Sequence, residues 1–91
     1  MIYTILFENK LKEIGIVSHY YTKIKVAIVD LKALLKAGDK VRIIGDITDF
    51  NQIIGSMEIE HEKVERAKSG DSVGIKVRKR VREKDIVCKL D

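Results

Sequence analysis

Six basic residues fall within nine positions late in this chain: Lys76, Arg78, Lys79, Arg80, Arg82 and Lys84. Val77, Val81 and Glu83 interrupt them. Cations gathered on one loop sum their fields, which is the chemistry of phosphate contact. Tyr20 and Tyr21 are the matching feature, because rings beside such a patch stack on unpaired bases. These eight residues form the candidate RNA-binding set. Lys23, Lys25, Lys40 and Arg42 extend it if the fold brings them alongside. The same run also reads as a solvated hairpin that maintains solubility, and one of the tyrosines as core. Phe50 is read as core.

Other chemistry is sparse. His19 and His61 lie far apart without Cys or acidic ligand spacing. Strand alternation places Glu58, Glu60 and Glu62 on one face and His61 on the other, which argues against a metal site. Cys88, in an Ile86-Val87-Cys88 run, reads as a small buried hydrophobe rather than a nucleophile. No Ser-His-Asp or Cys-His order is present. No Gly-x-x-x-x-Gly-Lys-Ser/Thr loop cradles a nucleoside triphosphate. The expectation is a non-enzymatic module with no catalytic residue, no metal and no cofactor.

The totals set the scale. The chain has 91 residues, 45% hydrophobic and 35% charged. That is one domain, residues 1–91, with a modest core. Net charge is +4, from 18 basic and 14 acidic residues, which permits RNA binding without requiring it. Lys, Glu and Ile dominate, a bias found in thermophile proteins. The single cysteine excludes an internal disulfide and suits a reducing cytosol, so a cytoplasmic location is expected. The apolar start, Ile2 to Phe7, is short and lacks a preceding basic region, so it does not read as a signal peptide. No apolar run approaches the ~18 residues of a membrane span.

The elements that position these residues are short strands set off by turns. Gly38-Asp39-Lys40-Val41 and Gly70-Asp71-Ser72-Val73 are two copies of one signal: a Gly-Asp turn feeding an alternating strand. Lys84-Asp85-Ile86-Val87 is a degenerate third copy, with Lys in place of Gly. Strands are predicted around Ile14-Gly15-Ile16-Val17, with Gly15 at a bulge or close approach. Further strands are predicted over 24–31, 41–45, 53–60, 73–77 and 86–90, and 46–52 reads as a hairpin. Connections are predicted at 19–23, 61–68 and 78–84, with Val64, Ala67 and Val81 as anchors. Residues 31–37 read as a loop or one helical turn whose leucines plug the end of the fold. The pattern predicts a small closed antiparallel β-barrel, Greek-key-like.

In this order and spacing, the segments 14–17, 26–29, 35–43, 56–59, 67–75 and 83–87 resemble the second domain of translational GTPases such as elongation factor Tu. The resemblance covers roughly residues 12–90 and leaves residues 1–11 as an extra N-terminal strand. It is nearest to stand-alone elongation-factor-like small proteins and to the C-terminal barrel of the collagenase-like peptidase family. Both carry something like His19-Tyr20-Tyr21 and Thr48-Asp49-Phe50. The resemblance implies a closed barrel and a role in translation. Members of that peptidase family are linked to tRNA and rRNA modification, which implies contact with RNA. It also aligns Glu58 with a position near the aminoacylated end of tRNA, and Ser72 with an Asn of elongation factor Tu.

Two functions are therefore expected. The first is a module contacting tRNA or rRNA through the 76–84 region. The second is a protein-docking module for a larger partner, such as a translation factor or a collagenase-like peptidase family protein. Neither involves a membrane or a nucleoside triphosphate.

Overall fold

The computed structural model of the chain describes residues 11–90. The predicted extra strand over residues 1–11 lies outside this range, apart from Leu11. Ten strands follow in order: β1 (Leu11–Tyr21), β2 (Val26–Leu31), β3 (Leu35–Lys36), β4 (Lys40–Ile44), β5 (Asp49–Ile53), β6 (Met57–Ile59), β7 (Glu62–Val64), β8 (Arg66–Ala67), β9 (Ser72–Lys76) and β10 (Ile86–Leu90). All pairings among them are antiparallel. The described residues contain no helix.

Three turns organise the chain, as their sequence repeat predicts. Gly38 and Gly70 both sit at φ +96°, the left-handed region that glycine enters without strain. In each turn the Asp carboxylate accepts a backbone N–H from three residues back: Asp39 from Lys36 at 2.8 Å, and Asp71 from Lys68 at 2.9 Å. The degenerate copy keeps the device. Lys84 takes φ 78°, and the Asp85 carboxylate accepts the Arg82 N–H at 2.8 Å.

The strand β1 is longer than its sequence pattern predicts and carries two bulges, at Glu13/Gly15 and Val17/His19. Bulges bend a strand and increase its twist. Here they let β1 pair with β10 at one end and with β2 at the other. Gly15 has the close approach expected of it: a Cβ there would stand 2.6 Å from Val29 Cγ1 and 2.9 Å from the Asp30 carbonyl.

The core is one continuous cluster on the inner face. Successive rungs bury Val17–Val29–Val73 and Tyr20–Ala27–Ile75–Met57. Val41, Ile43 and Val87 continue it under β4 and β10. Leu31 and Leu35 close one end, while Leu34 faces solvent.

Several expectations change. The eight-strand sheet runs β5-β4-β10-β1-β2-β9-β6-β7 and is open, with no ladder between β5 and β7 among the described residues. The fold is therefore all-β and antiparallel, and its hydrogen bonding does not describe the expected closed barrel. Residues 31–37 form no helical turn; β3 pairs with β8 as a separate two-stranded cap. His19, Tyr20 and Tyr21 belong to β1 rather than to a connection, because the second bulge lets the strand continue. Residues 22–25 form the turn before β2, so Ile24 lies outside the strand. Residues 61–68 hold β7 and β8, with Val64 and Ala67 as the expected anchors. Residues 54–56 interrupt the strand predicted over 53–60.

Candidate docking surface

The six basic residues of the sequence-predicted site fall in three places, and the two tyrosines lie apart from them. Lys76 ends β9, and Arg78 follows in the bend; both line an open, largely apolar concavity of about 650 Å³ together with Gln52, Ile53 and Ser56. Val77 and Val81 are buried and pin the loop. Arg78 is held on β5. Its Nε donates to the Asn51 carbonyl at 3.0 Å, and its guanidinium sits 5.6 Å from the centre of the Phe50 ring. Phe50 is core, as expected. Lys79 and Arg80 are exposed at the loop tip. Arg82 and Lys84 line a second concavity, beside the hairpin residues Ile44, Asp46 and Ile47. There Glu83 and Asp85 stand among the cations.

The tyrosines divide. Tyr20 points inward and packs on the core. Tyr21 is 49% exposed and stacks edge-on against His19, centroids 4.4 Å apart. Of the proposed extensions, Arg42 is committed elsewhere. It makes a two-pronged contact with Asp49 at 2.8 and 2.9 Å. The Arg42 hydrogen bond holds the Asp49 carboxyl below its ordinary value, and the same contact raises the guanidinium.

Cys88 is buried on β10 between Glu13 and Arg42 of the flanking strands. Burial pushes its thiol up, the Glu13 carboxylate adds to that, and Arg42 opposes it. No cluster of three His, Cys, Asp or Glu side chains suited to a metal occurs among the described residues. The predicted alternation of Glu58, Glu60 and Glu62 is broken, because Glu60 and His61 form the β6–β7 turn at φ 49° and 69°.

A surface that the sequence reading did not single out lies on the outer face of β2, β9 and β6. Register places His19, Ile28, Gly74 and Glu58 on one outward rung, and Tyr21, Val26 and Lys76 on the next. Ile24, 55% exposed, extends the apolar side. Glu58 and Glu60 stand opposite, around a concavity of about 480 Å³. The signal was present: from Val26 to Val29 the segment is apolar on both faces, and one sheet buries only one of them. Ala27, Val29 and Leu31 take the core, which leaves Ile24, Val26 and Ile28 outside.

Among the described residues this geometry offers surfaces for contact. No protein-family model matches the chain. Over 79 residues it is 45% identical to an uncharacterized protease of Methanocaldococcus jannaschii, a match spanning 86% of this chain and 19% of that protein. The chain thus corresponds to about a fifth of the relative's length. Two crystal structures of the C-terminal domain of a Geobacillus thermoleovorans protein described as a U32 peptidase are also similar. Their TM-scores are 0.80 and 0.82, at 23% identity, covering 84% and 88% of this chain and 96% and 93% of theirs. The peptidase side of the expected resemblance is thus met at the level of fold, and the elongation-factor side is not. These relatives overturn the expectation of an elongation-factor-like translation protein, and they lend the RNA-binding role no support. Among the described residues no helix is long and apolar enough to cross a membrane. The chain has the fold of the C-terminal domain of a U32-type peptidase.

Proposed function

We propose that the chain is a non-catalytic docking module that seats on the peptidase part of a U32-type protein. The observation that carries this reading is the 45% identity to a protease, concentrated in a stretch that is 19% of that protein. Whatever cleaves a peptide bond has room in the other four-fifths. The exposed apolar residues Tyr21, Ile24 and Ile53 support the reading, because large apolar side chains clustered in surface concavities mark interaction sites.

A chimera tests it. This chain replaces the matching segment of the Methanocaldococcus jannaschii protease, and its melting is compared with that of the same protein lacking the segment. A docked module raises the melting temperature of the peptidase part by several degrees, about 5 °C or more, through mutual stabilisation. Two independent transitions, with the peptidase part melting as it does without the segment, contradict the reading.

A further inference from the structure

We propose that the outer groove across β2, β9 and β6 receives an extended cationic segment of the peptidase part, one that carries an aliphatic side chain next to a Lys or Arg. The inference deepens the docking reading above and rests on it. The groove is walled on one side by Ile24, Val26 and Ile28, and on the other by Glu58 and Glu60. It runs on toward Ser56 and Lys76.

Three observations converge on it. The first is Gly74, in the middle of β9 on the groove floor. A Cβ there would meet Val26 Cγ1 at 3.3 Å and Ile28 Cδ1 at 3.5 Å, so the missing side chain is what opens the trough. A glycine inside a strand marks a place where another chain approaches closely. The second is the pair of turns that flank it. Glu60 and His61, at φ 49° and 69°, make the two-residue hairpin turn between β6 and β7, and Lys25, at φ 56°, ends the turn before β2, so both walls of the groove are fixed by turns.

The third is charge. Glu58 and Glu60 take part in none of the ion pairs among the described residues. Lys63 pairs with Glu58 in register and Lys76 stands at the groove's far end, while the stretch between the β2 wall and Glu58 and Glu60 carries no Lys or Arg, so that stretch favours a cation over nucleic acid or an acidic peptide. The β2 wall asks for an aliphatic side chain. The strands β2 and β6 are two spacings apart, roughly 10 Å, the width of one extended chain with its side chains. The occupant is therefore a strand-like peptide with alternating aliphatic and basic residues.

The test uses the 15N-labelled full chain and two acetylated, amidated pentapeptides, KIRVK and EIEVE. The expected result is saturable NMR shifts centred on Ile28, Glu58, Glu60 and Gly74 with the basic peptide, and binding at least about tenfold weaker with the acidic one. The double variant Glu58→Lys/Glu60→Lys reverses that preference. No shifts up to about 5 mM peptide, or shifts centred on the 76–84 loop, overturn the proposal.

A second arm separates this proposal from the docking reading. The Methanocaldococcus jannaschii protease lacking its matching segment is titrated with wild type, Gly74→Val and the double variant. Loss of at least about tenfold in affinity in both variants supports the groove. Binding that all three share equally overturns the groove and leaves the docking reading standing. A basic peptide seated in the groove, with no binding to the protease, overturns the docking reading and leaves the groove.

Discussion

The Gln52 carboxamide joins β5 to the backbone around Arg78. Its Oε1 accepts the Arg78 N–H at 3.0 Å, and its Nε2 donates to the Lys76 carbonyl at 2.9 Å. The side chain thus supplies one donor and one acceptor between β5 and the end of β9, where no strand pairing runs, as a strand residue would. Gln52→Ala removes both bonds and is expected to destabilise by about 1–2 kcal/mol, since each bond is worth roughly 0.5–1.5 kcal/mol net. Gln52→Glu keeps the acceptor and loses the donor, so it should fall between. Urea midpoints read at unchanged slope check the order.

The three Asp turns make opposite predictions at their left-handed positions. Gly70 has open space where a Cβ would go, so Gly70→Ala is penalised by its φ of +96° alone, about 1 kcal/mol. Lys84 already bears that penalty at φ 78°. Lys84→Gly relieves it, less the extra entropy of an unfolded glycine, for a net gain of roughly 0.5 kcal/mol. Chemical denaturation of the two variants should shift in opposite directions.

Thr48 is 4% exposed, and its hydroxyl has no hydrogen-bond partner among the described residues. A buried hydroxyl without a partner costs more than it returns. Thr48→Val keeps the shape and is expected to stabilise by about 1 kcal/mol, whereas Thr48→Ser keeps the orphan and loses a methyl group. Thermal melts of the pair should bracket wild type.

The Arg42–Asp49 contact sets a pH dependence. The folded pKa of Asp49 lies below its ordinary value of 3.8. A depressed carboxylate contributes stability above its unfolded pKa and loses it as pH falls through the lower folded value. Stability should therefore decline below about pH 4, and Asp49→Asn should flatten part of that decline. Denaturant titrations at a series of acidic pH values measure it. Both side chains are partly exposed, so high salt should shrink the difference.

The turns were the most legible part of the chain, because Gly38-Asp39 and Gly70-Asp71 specify both a backbone conformation and the carboxylate that closes it. Lys84-Asp85 was legible from its frame despite the missing glycine. The bulges of β1 were half legible: Gly15 announced one, and nothing in Val17-Ser18-His19 announced the other. That second bulge decides that Tyr20 faces the core and Tyr21 the groove. The open ladder was illegible, since β5 meets the chain at the end of β9 through the Gln52 side chain and not through strand periodicity. The basic run was easy to see and misleading as a single site. The bend and buried Val81 carry its members from the β5 side to the Ile44–Ile47 hairpin, and Arg78 is held down by Asn51. The groove needed register: Ile28, Gly74 and Glu58 are far apart in sequence and meet only through pairing.

The most direct test of the docking account is a calorimetric titration of this chain into the Methanocaldococcus jannaschii protease lacking its matching segment, at low and at high salt. The account predicts saturable one-to-one binding with a negative heat-capacity change, weakening by less than about tenfold at high salt because exposed apolar side chains such as Tyr21, Ile24 and Ile53 carry the contact. No heat at either salt concentration over a range of temperatures, or binding that high salt abolishes, contradicts it.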